Sequence, residues 1–237
     1  MTNELLFLLQ TLAGLAFTLF AFRMGKHWLY GFVAVSVVLA NVFVAKQITL
    51  FGLAATGGNV VYGTIFLATD LLAEHHGKKE AREAVFIGFF ASMFYVIMSQ
   101  FILYLAPSGA DWGAAEGMKQ IFTVAPTIIL ASLTAYLVSQ LHDVWAFHAI
   151  RKMTGGRFLW LRNNGSTWVS QLIDSILFSF LAFAVLPRIL AGTEFILPMG
   201  TVVQIAVSTY LLKVVVAAMD TPFIYLSYAV KTGEQTA

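Results

Sequence analysis

Long apolar runs, separated by short polar loops, constrain this chain more than any other feature. A helix needs about 20 apolar residues to cross the roughly 30 Å hydrocarbon core of a bilayer. Seven runs come close to that length or reach it. Because backbone polar groups in lipid must be hydrogen-bonded within their own segment, the runs predict helices. They are residues 5–22, 28–45, 53–73, 84–106, 121–141 with a helical extension towards 151, 167–186, and 201–219, which is followed by an apolar tail at 222–230.

The composition supports a lipid-facing surface. Hydrophobic residues make up 59% of the chain and charged residues only 11%. A soluble domain carries about 25% charged residues, because its surface must be covered for water. We therefore predict an all-α polytopic membrane helical bundle of about seven transmembrane helices. No soluble domain fits between the spans, so residues 1–237 are predicted to form a single integral membrane domain.

The basic residues are distributed unevenly between alternate loops, and this predicts the orientation. Loops rich in Lys and Arg stay on the cytoplasmic side of a membrane. The loops after the first, third, fifth and seventh runs hold ten of the 14 basic residues. This bias predicts an N-terminus outside and a C-terminus in the cytoplasm. The ten are Arg23, Lys26, Lys78, Lys79, Arg82, Arg151, Lys152, Arg157, Arg162 and Lys231; Lys46, Lys119 and Arg188 lie on the other side.

Several function classes are disfavoured by what the sequence contains. There are no cysteines, which excludes disulfides and cysteine-based zinc sites. The net charge of +2 is too small and scattered for nucleic-acid binding. We find no phosphate-binding glycine loop, no zinc-protease motif and no serine with a base beside it. We therefore predict no enzyme, no cofactor and no metal site, and any transport energy must come from a gradient or from a separate subunit.

Polar side chains recur at helical spacing within two of the apolar runs. An Asp or Lys at the centre of a spanning helix costs about 2.5–3.5 kcal/mol on insertion scales. Such a face either lines a cavity or holds neighbouring helices together by hydrogen bonds. Both interpretations are open for these residues. The face of the third run is Asn59, Tyr62, Phe66, Asp70 and Glu74, and that of the sixth is Thr167, Gln171, Asp174 and Phe178.

Lys213 is the one cation deep within a predicted span. It can pair with Asp174 or with Asp220, or it can extend its flexible stem towards the cytoplasm. A further polar face of the fifth run approaches the cytoplasmic boundary, so a solvated role and a functional role are both open there. Its residues are Tyr136, Gln140 and Asp143.

Several longer motifs extend this pattern. They are the stretch NVVYGTIFLATDLLAE at 59–74, GKKEAR at 77–82, the pairs at 131–132 and 139–140, WLRNN at 160–164, and Ser166-Thr167, Ser170-Gln171 and Asp174. Together they resemble the queuosine precursor transporter family, also called vitamin-uptake-like transporters. The resemblance runs from about residue 41 to 231. The chain departs from the family's usual pattern at His75-His76 and at Gly165.

The resemblance implies uptake of deazaguanine bases, the cyano or aminomethyl precursors of the modified tRNA nucleoside queuosine. It implies a bacterial-type inner membrane and a six-helix core like the substrate-binding subunits of energy-coupling-factor vitamin transporters. That core would be residues 28–231, with residues 1–27 as an extra N-terminal helix. Two alternatives are a membrane subunit that binds another purine-like base or vitamin and needs a partner ATPase, and a non-transport membrane scaffold. The sequence leaves open a homo-oligomer and an energising subunit.

The predicted substrate site combines both lines of argument. A carboxylate can accept both donors on the edge of a deazaguanine, and an aromatic ring can stack on its face for about 1–3 kcal/mol. An Asn, Gln or Lys can donate to its carbonyl. The sequence leaves open whether Asp70 or Asp174 accepts the hydrogen bonds from the edge of the base. The predicted substrate-binding residues are Asn59, Tyr62, Phe66, Asp70, Glu74, Arg162, Asn163, Gln171, Asp174, Phe178 and Lys213.

Overall fold

The computed structural model describes residues 2–123, 126–191 and 197–230. Within these residues, eight α-helices surround a buried centre, and one short β-hairpin lies between the second and third helices. The predicted all-α membrane bundle is therefore confirmed. The elements are α1 Asn3–Met24, α2 Lys26–Phe43, β1 Gln47–Leu50, β2 Leu53–Thr56, α3 Asn59–His75, α4 Lys78–Tyr104, α5 Ala114–Phe122, α6 Pro126–Met153, α7 Leu159–Phe180 and α8 Met199–Leu226, with π-helical segments Leu181–Val185 and Pro187–Ala191 and a 3-10 turn Ser227–Ala229.

Six helices of the described chain are long and apolar enough to cross a membrane: α1, α2, α4, α6, α7 and α8. Their outward faces carry large apolar side chains, which a soluble protein would bury. Phe17, Phe90 and Phe101 are 65%, 68% and 65% exposed. Apolar surface on this scale is stable in lipid, where it needs no cover. The chain is a multi-pass membrane protein.

Helix α3 is a further crossing, shielded from lipid by its neighbours. It has 17 residues, of which 14 are buried, and its length is about 25 Å at 1.5 Å per residue. It follows the hairpin, where Asn3 at the start of α1 donates to the carbonyl of Thr49 at 3.1 Å. Its last residue, His75, contacts the ring of Phe22 near the end of α1, with centroids 4.7 Å apart. Because α3 runs beside α1 from end to end, it crosses the same layer.

Seven crossings place the two ends of the described chain on opposite faces of the bundle. We call the face with β1, β2 and α5 the hairpin face. The opposite face contains the turns after α1, α3 and α6. Most of the basic residues lie at this face, and we call it the basic face.

Several predicted boundaries are wrong, and the reasons are local. The third run begins as strand β2, because Phe51 and Gly52 have positive φ (51° and 75°) and close a two-residue hairpin. The fifth run's first residues belong to α5. Helix α7 begins at Leu159 rather than at residue 167, so residues 159–166, which precede the sixth predicted run, are helical. The tail after residue 219 continues α8 through Pro222.

Helix α1 is packed into the same interior as α3. Leu15 and Phe22 are buried in the core cluster that contains the apolar side chains of α3. A Cβ atom at Gly14 would lie 2.7 Å from Thr64 Cγ2, so the two backbones approach closely. The division of the chain into an extra first helix and a six-helix core stays a prediction.

The approach of α3 to α8 gives a test of this packing. A Cβ atom at Gly63 would lie 2.4 Å from Val216 Cγ1, on a stiff branched side chain. We expect Gly63→Ala to lower the melting temperature of the purified protein in detergent, by the equivalent of about 1–3 kcal/mol. The control is Gly31→Ala in α2, where nothing lies within 4 Å of the new Cβ. Equal melting temperatures for the two variants would contradict the close packing of α3 on α8.

Candidate substrate-binding site

A cavity of about 520 Å³ lies between the helices. This volume is within the usual range of small-molecule sites, about 300–1,000 Å³. At one end it reaches the hairpin face, where Gln47, Thr56 and Phe122 line it. At the other end, Asp174 and Lys213 line it within the bundle. The cavity therefore extends from the hairpin face to a charged pair at its inner end.

Asp174 is the only acidic side chain among the described residues that line the cavity, and Lys213 is the only basic one. One carboxylate oxygen, Oδ1, accepts hydrogen bonds from the Tyr62 hydroxyl at 2.6 Å and from Ser139 Oγ at 3.2 Å. The other, Oδ2, forms an ion pair with Lys213 Nζ. Both charged side chains are 7% exposed. Each therefore offsets the desolvation cost of the other.

This geometry decides between the alternatives for Lys213. The lysine pairs with Asp174 rather than with Asp220, and it is buried rather than extended to a membrane surface. Its Nζ also lies 4.6 Å from the centroid of the Tyr62 ring, a cation–π contact that adds to the stability of the buried cation. Asp174, Lys213 and Tyr62 thus join α7, α8 and α3 at one point.

Several aromatic rings form part of the cavity wall. Tyr62, Tyr136 and Phe178 all line it. The Tyr62 ring meets the Tyr136 ring edge-on, with centroids 6.4 Å apart. The Tyr136 hydroxyl donates to the carbonyl of Val85 at 3.2 Å, which fixes this ring against α4. Such walls suit a flat ligand, because an aromatic face stacks on a planar ring system.

Three polar atoms at the cavity wall have no hydrogen-bond partner within the described chain. They are Asn59 Nδ2, Ser92 Oγ and Ser175 Oγ. The Asn59 side chain is oriented by Thr56 Oγ1, which lies 3.4 Å from Asn59 Oδ1. Since buried polar groups are nearly always hydrogen-bonded, these atoms are candidates for contact with a bound molecule.

The structure brings only part of the predicted site together. Asn59, Tyr62, Asp174, Phe178 and Lys213 line the cavity. Phe66 packs against Tyr62 with ring centroids 5.8 Å apart, and Asp70 and Gln171 are fully buried further from the hairpin face. Glu74, Arg162 and Asn163 lie nearer the basic face, as described below.

Sequence reasoning left several cavity residues out of the predicted site. Tyr136 stood on a polar face at helical spacing, which is a usable signal. Single serines in apolar runs are common and carry little information, because their hydroxyls can bond the backbone of their own helix. The residues left out include Asn41, Ser92, Ser132, Tyr136 and Ser175.

Glu74 and Arg162 form a buried bidentate ion pair towards the basic face. Arg162 Nε and Nη2 lie 2.9 and 2.7 Å from the two carboxylate oxygens, and both side chains are 3% exposed. Arg162 also donates to the carbonyl of Gly156 at 3.0 Å, and Tyr228 donates to Glu74. We call Glu74, Arg162 and Tyr228 the Glu74 clamp. It joins α3, α7 and the turn after α8 beyond the inner end of the cavity.

The comparison with known families identifies the chain. The family described as "Putative vitamin uptake transporter" matches residues 56–227. The chain belongs to this family. The match spans α3 to α8, and it includes every residue of the predicted substrate site and all of the Glu74 clamp except Tyr228.

Curated relatives of this family member carry a more specific name. The chain is 41% identical over 202 residues to the "Probable queuosine precursor transporter" of Bacillus subtilis, and the alignment covers 85% of this chain and 83% of that protein. It is 28% identical over 158 residues to the "Queuosine precursor transporter" of Escherichia coli, covering 66% of this chain and 67% of that protein. No solved structure matches it.

The Glu74 clamp predicts a large stability difference between two glutamates of the transporter. Glu74→Gln leaves the buried Arg162 guanidinium without its counter-charge, which typically costs about 3–5 kcal/mol. Glu80 instead pairs with Lys26, and these two side chains are 21% and 31% exposed. We expect Glu80→Gln to cost at most about 1 kcal/mol. Melting temperatures of the two purified variants check this, and an equal loss would show that the clamp adds little to stability.

Proposed function

We propose that this transporter imports queuosine precursors, the deazaguanine bases, into the cytoplasm. The observation that carries the proposal is the cavity with aromatic walls and a buried Asp174–Lys213 pair at its inner end. The names of the curated relatives support the same substrate class. Within this proposal the site is a binding site for transport, with no catalytic residue.

The recognition chemistry follows from the groups at the inner end. A deazaguanine presents ring N–H and amine donors beside an acceptor carbonyl. Asp174 is the carboxylate positioned to accept the donors, and Lys213 can then donate to the carbonyl. Because Lys213 occupies Asp174 Oδ2, the base exchanges with the lysine for this oxygen. Tyr62 and Phe178 supply aromatic faces for stacking.

We propose that the basic face lies in the cytoplasm and that the N-terminus lies outside. The helix ends at that face carry Lys78, Lys79, Arg151 and Lys152, and basic segments beside a span stay cytoplasmic. The cavity then extends to the outer face, while the Glu74 clamp joins the helices on the cytoplasmic side. This arrangement is the outward-facing state of an importer in the bacterial inner membrane. Release of the substrate requires the clamp to separate.

The orientation is testable because the chain has no cysteines. Single cysteines at Lys79, Lys152 and Gly109, all exposed positions, provide unique labelling sites. We expect a membrane-impermeant thiol reagent to label Gly109→Cys in intact cells. Lys79→Cys and Lys152→Cys should be labelled only after the cells are opened. Labelling of all three from one side would contradict the proposed orientation.

The binding role of Asp174 is tested by Asp174→Asn. The amide keeps one acceptor oxygen but turns donors towards the donor edge of the base. Losing one charge-assisted contact should weaken binding by about 1.5–3 kcal/mol, or roughly tenfold to more than a hundredfold. The measurement is titration of the purified protein with the aminomethyl deazaguanine. Asp111→Asn, at an exposed position near α5, should bind as the wild type does.

A double variant separates binding from stability. Asp174→Asn alone leaves Lys213 buried without its counter-charge, so the melting temperature should fall. Combining it with Lys213→Met should restore the melting temperature without restoring affinity. Wild-type affinity in a well-folded double variant would show that Asp174 and Lys213 are not part of the binding site.

Uptake by the purified protein alone in liposomes tests the transport itself. Binding without uptake would favour the alternative of a membrane subunit that needs a partner ATPase. Failure to bind any purine-like base or vitamin would favour a scaffold.

A further inference from the structure

Three aspartates meet inside the bundle, between the cavity and the Glu74 clamp. Asp70 of α3, Asp143 of α6 and Asp220 of α8 are 0%, 0% and 1% exposed. The carboxyl groups of Asp143 and Asp220 both lie near that of Asp70. The burial of Asp143 also removes the solvated role that the sequence had left open for it. We call these three residues the aspartate cluster.

The aspartate cluster has few partners within the described chain. Thr167 Oγ1 lies 3.4 Å from Asp70 Oδ2, and Asn163 Nδ2 donates to Asp220 Oδ1 at 2.6 Å. Both oxygens of Asp143, Asp70 Oδ1 and Asp220 Oδ2 have no hydrogen bond within 3.5 Å, and the hydroxyls of Ser166, Thr167 and Ser170 lie near the Asp143 carboxyl group. None of the ion pairs among the described residues includes a member of the cluster. Four carboxylate oxygens are thus buried without a donor at hydrogen-bonding distance.

An unpartnered amide lies beside the cluster and is an independent sign of a ligand. Gln171 is fully buried, and neither its Nε2 nor its Oε1 has a partner. It lies one helical turn from Thr167, which contacts Asp70, and one turn from Asp174 at the cavity. Residues at this spacing share a helix face. Gln171 therefore stands between the cavity and the aspartate cluster.

The nearest charged groups are already engaged elsewhere. On α7, Arg162 is held by Glu74 of α3, and Asp174 is held by Lys213 of α8. On α6, His142 bonds Ser170 at 2.9 Å. Helices α1, α2 and α4 carry charged residues only near their ends. Neither Arg162 nor Lys213 is therefore free to neutralise the three buried carboxylates.

Three adjacent carboxylates cannot all be ionised at this depth, because each buried charge is costly and like charges repel. A bound cation must therefore reduce their charge. The described residues contain no group of three or more acidic or histidine side chains placed to hold a metal ion. A proton has no coordination geometry to satisfy, and a proton on one carboxyl group can be shared with the next.

We propose that Asp70, Asp143 and Asp220 form a proton-binding site, and that its protonation couples substrate import to inward proton movement. The coupling part rests on the proposed import function. A proton taken up from the outer side neutralises a carboxylate and is released to the cytoplasm when the bundle opens there. The α7 face that holds Asn163, Thr167, Gln171 and Asp174 connects this site to the substrate cavity.

Infrared spectroscopy tests the site without any substrate. In pH-difference spectra of the reconstituted full chain, we expect a band from a buried, protonated carboxyl group that disappears as the pH rises. Asp143→Asn should remove part or all of this band, whereas Asp111→Asn, at an exposed position, should leave it unchanged. If Asp143→Asn does not fold, Asp220→Asn takes its place. Absence of the band from the wild type, or a full band in the folded variant, would overturn the site.

Transport in liposomes tests the coupling. With a pH-sensitive dye in the lumen, uptake of the aminomethyl deazaguanine by the wild type should acidify the interior. Asp143→Asn should still bind and exchange this base but lose both acidification and uptake against a gradient. Acceleration by a sodium gradient instead of a pH gradient would overturn proton coupling. Failure of the wild type to bind the base would reject the proposed import, while the infrared result would still decide the proton site.

Discussion

The buried ion pair between Asp174 and Lys213 holds α7 and α8 together at the inner end of the cavity. An isolated charge at the centre of a spanning helix costs about 2.5–3.5 kcal/mol on insertion scales. Two such charges on different helices are tolerated because they meet each other and the Tyr62 hydroxyl. This requirement fixes α7, α8 and α3 relative to one another. It also places two charged side chains at the inner end of a largely apolar cavity.

The same constraint explains the unusual position of α3. Fourteen of its 17 residues are buried, so it contacts the other helices on nearly every side. Its polar side chains would be unstable against lipid, but inside the bundle they find partners on α6, α7 and α8. Apolar side chains such as Phe90 cover the outer helices instead. A helix with polar side chains, enclosed by apolar outer helices, is the arrangement expected of a protein that carries a polar molecule through a membrane.

Three polar layers follow one another along the bundle from the hairpin face. The cavity with Asp174 comes first, the aspartate cluster second, and the Glu74 clamp third. The first layer lines open space, and the third is held by bidentate hydrogen bonds. In an alternating-access mechanism the clamp would act as the inner barrier. The aspartate cluster lies between the cavity and the Glu74 clamp, where a change in charge can affect both.

The amino-acid sequence was enough to predict a bundle of membrane-crossing helices, because bilayer thickness and hydrogen bonding leave few choices to an apolar run. It also indicated Asp174 and Tyr62, since helical spacing puts polar side chains on one face, and Lys213, since it is the one cation deep within a predicted span. Spacing within one helix carries no information about which helix lies opposite. Three arrangements therefore follow only from how the helices pack: Lys213 pairs with Asp174, Arg162 pairs with Glu74 away from the cavity, and Asp70 lies near Asp143 and Asp220. The sequence analysis placed the start of α7 too late for the same reason. Arg162 and Asn163 are too polar to face lipid, and they lie within a helix of the bundle because Glu74 of α3 and Asp220 of α8 accept their hydrogen bonds.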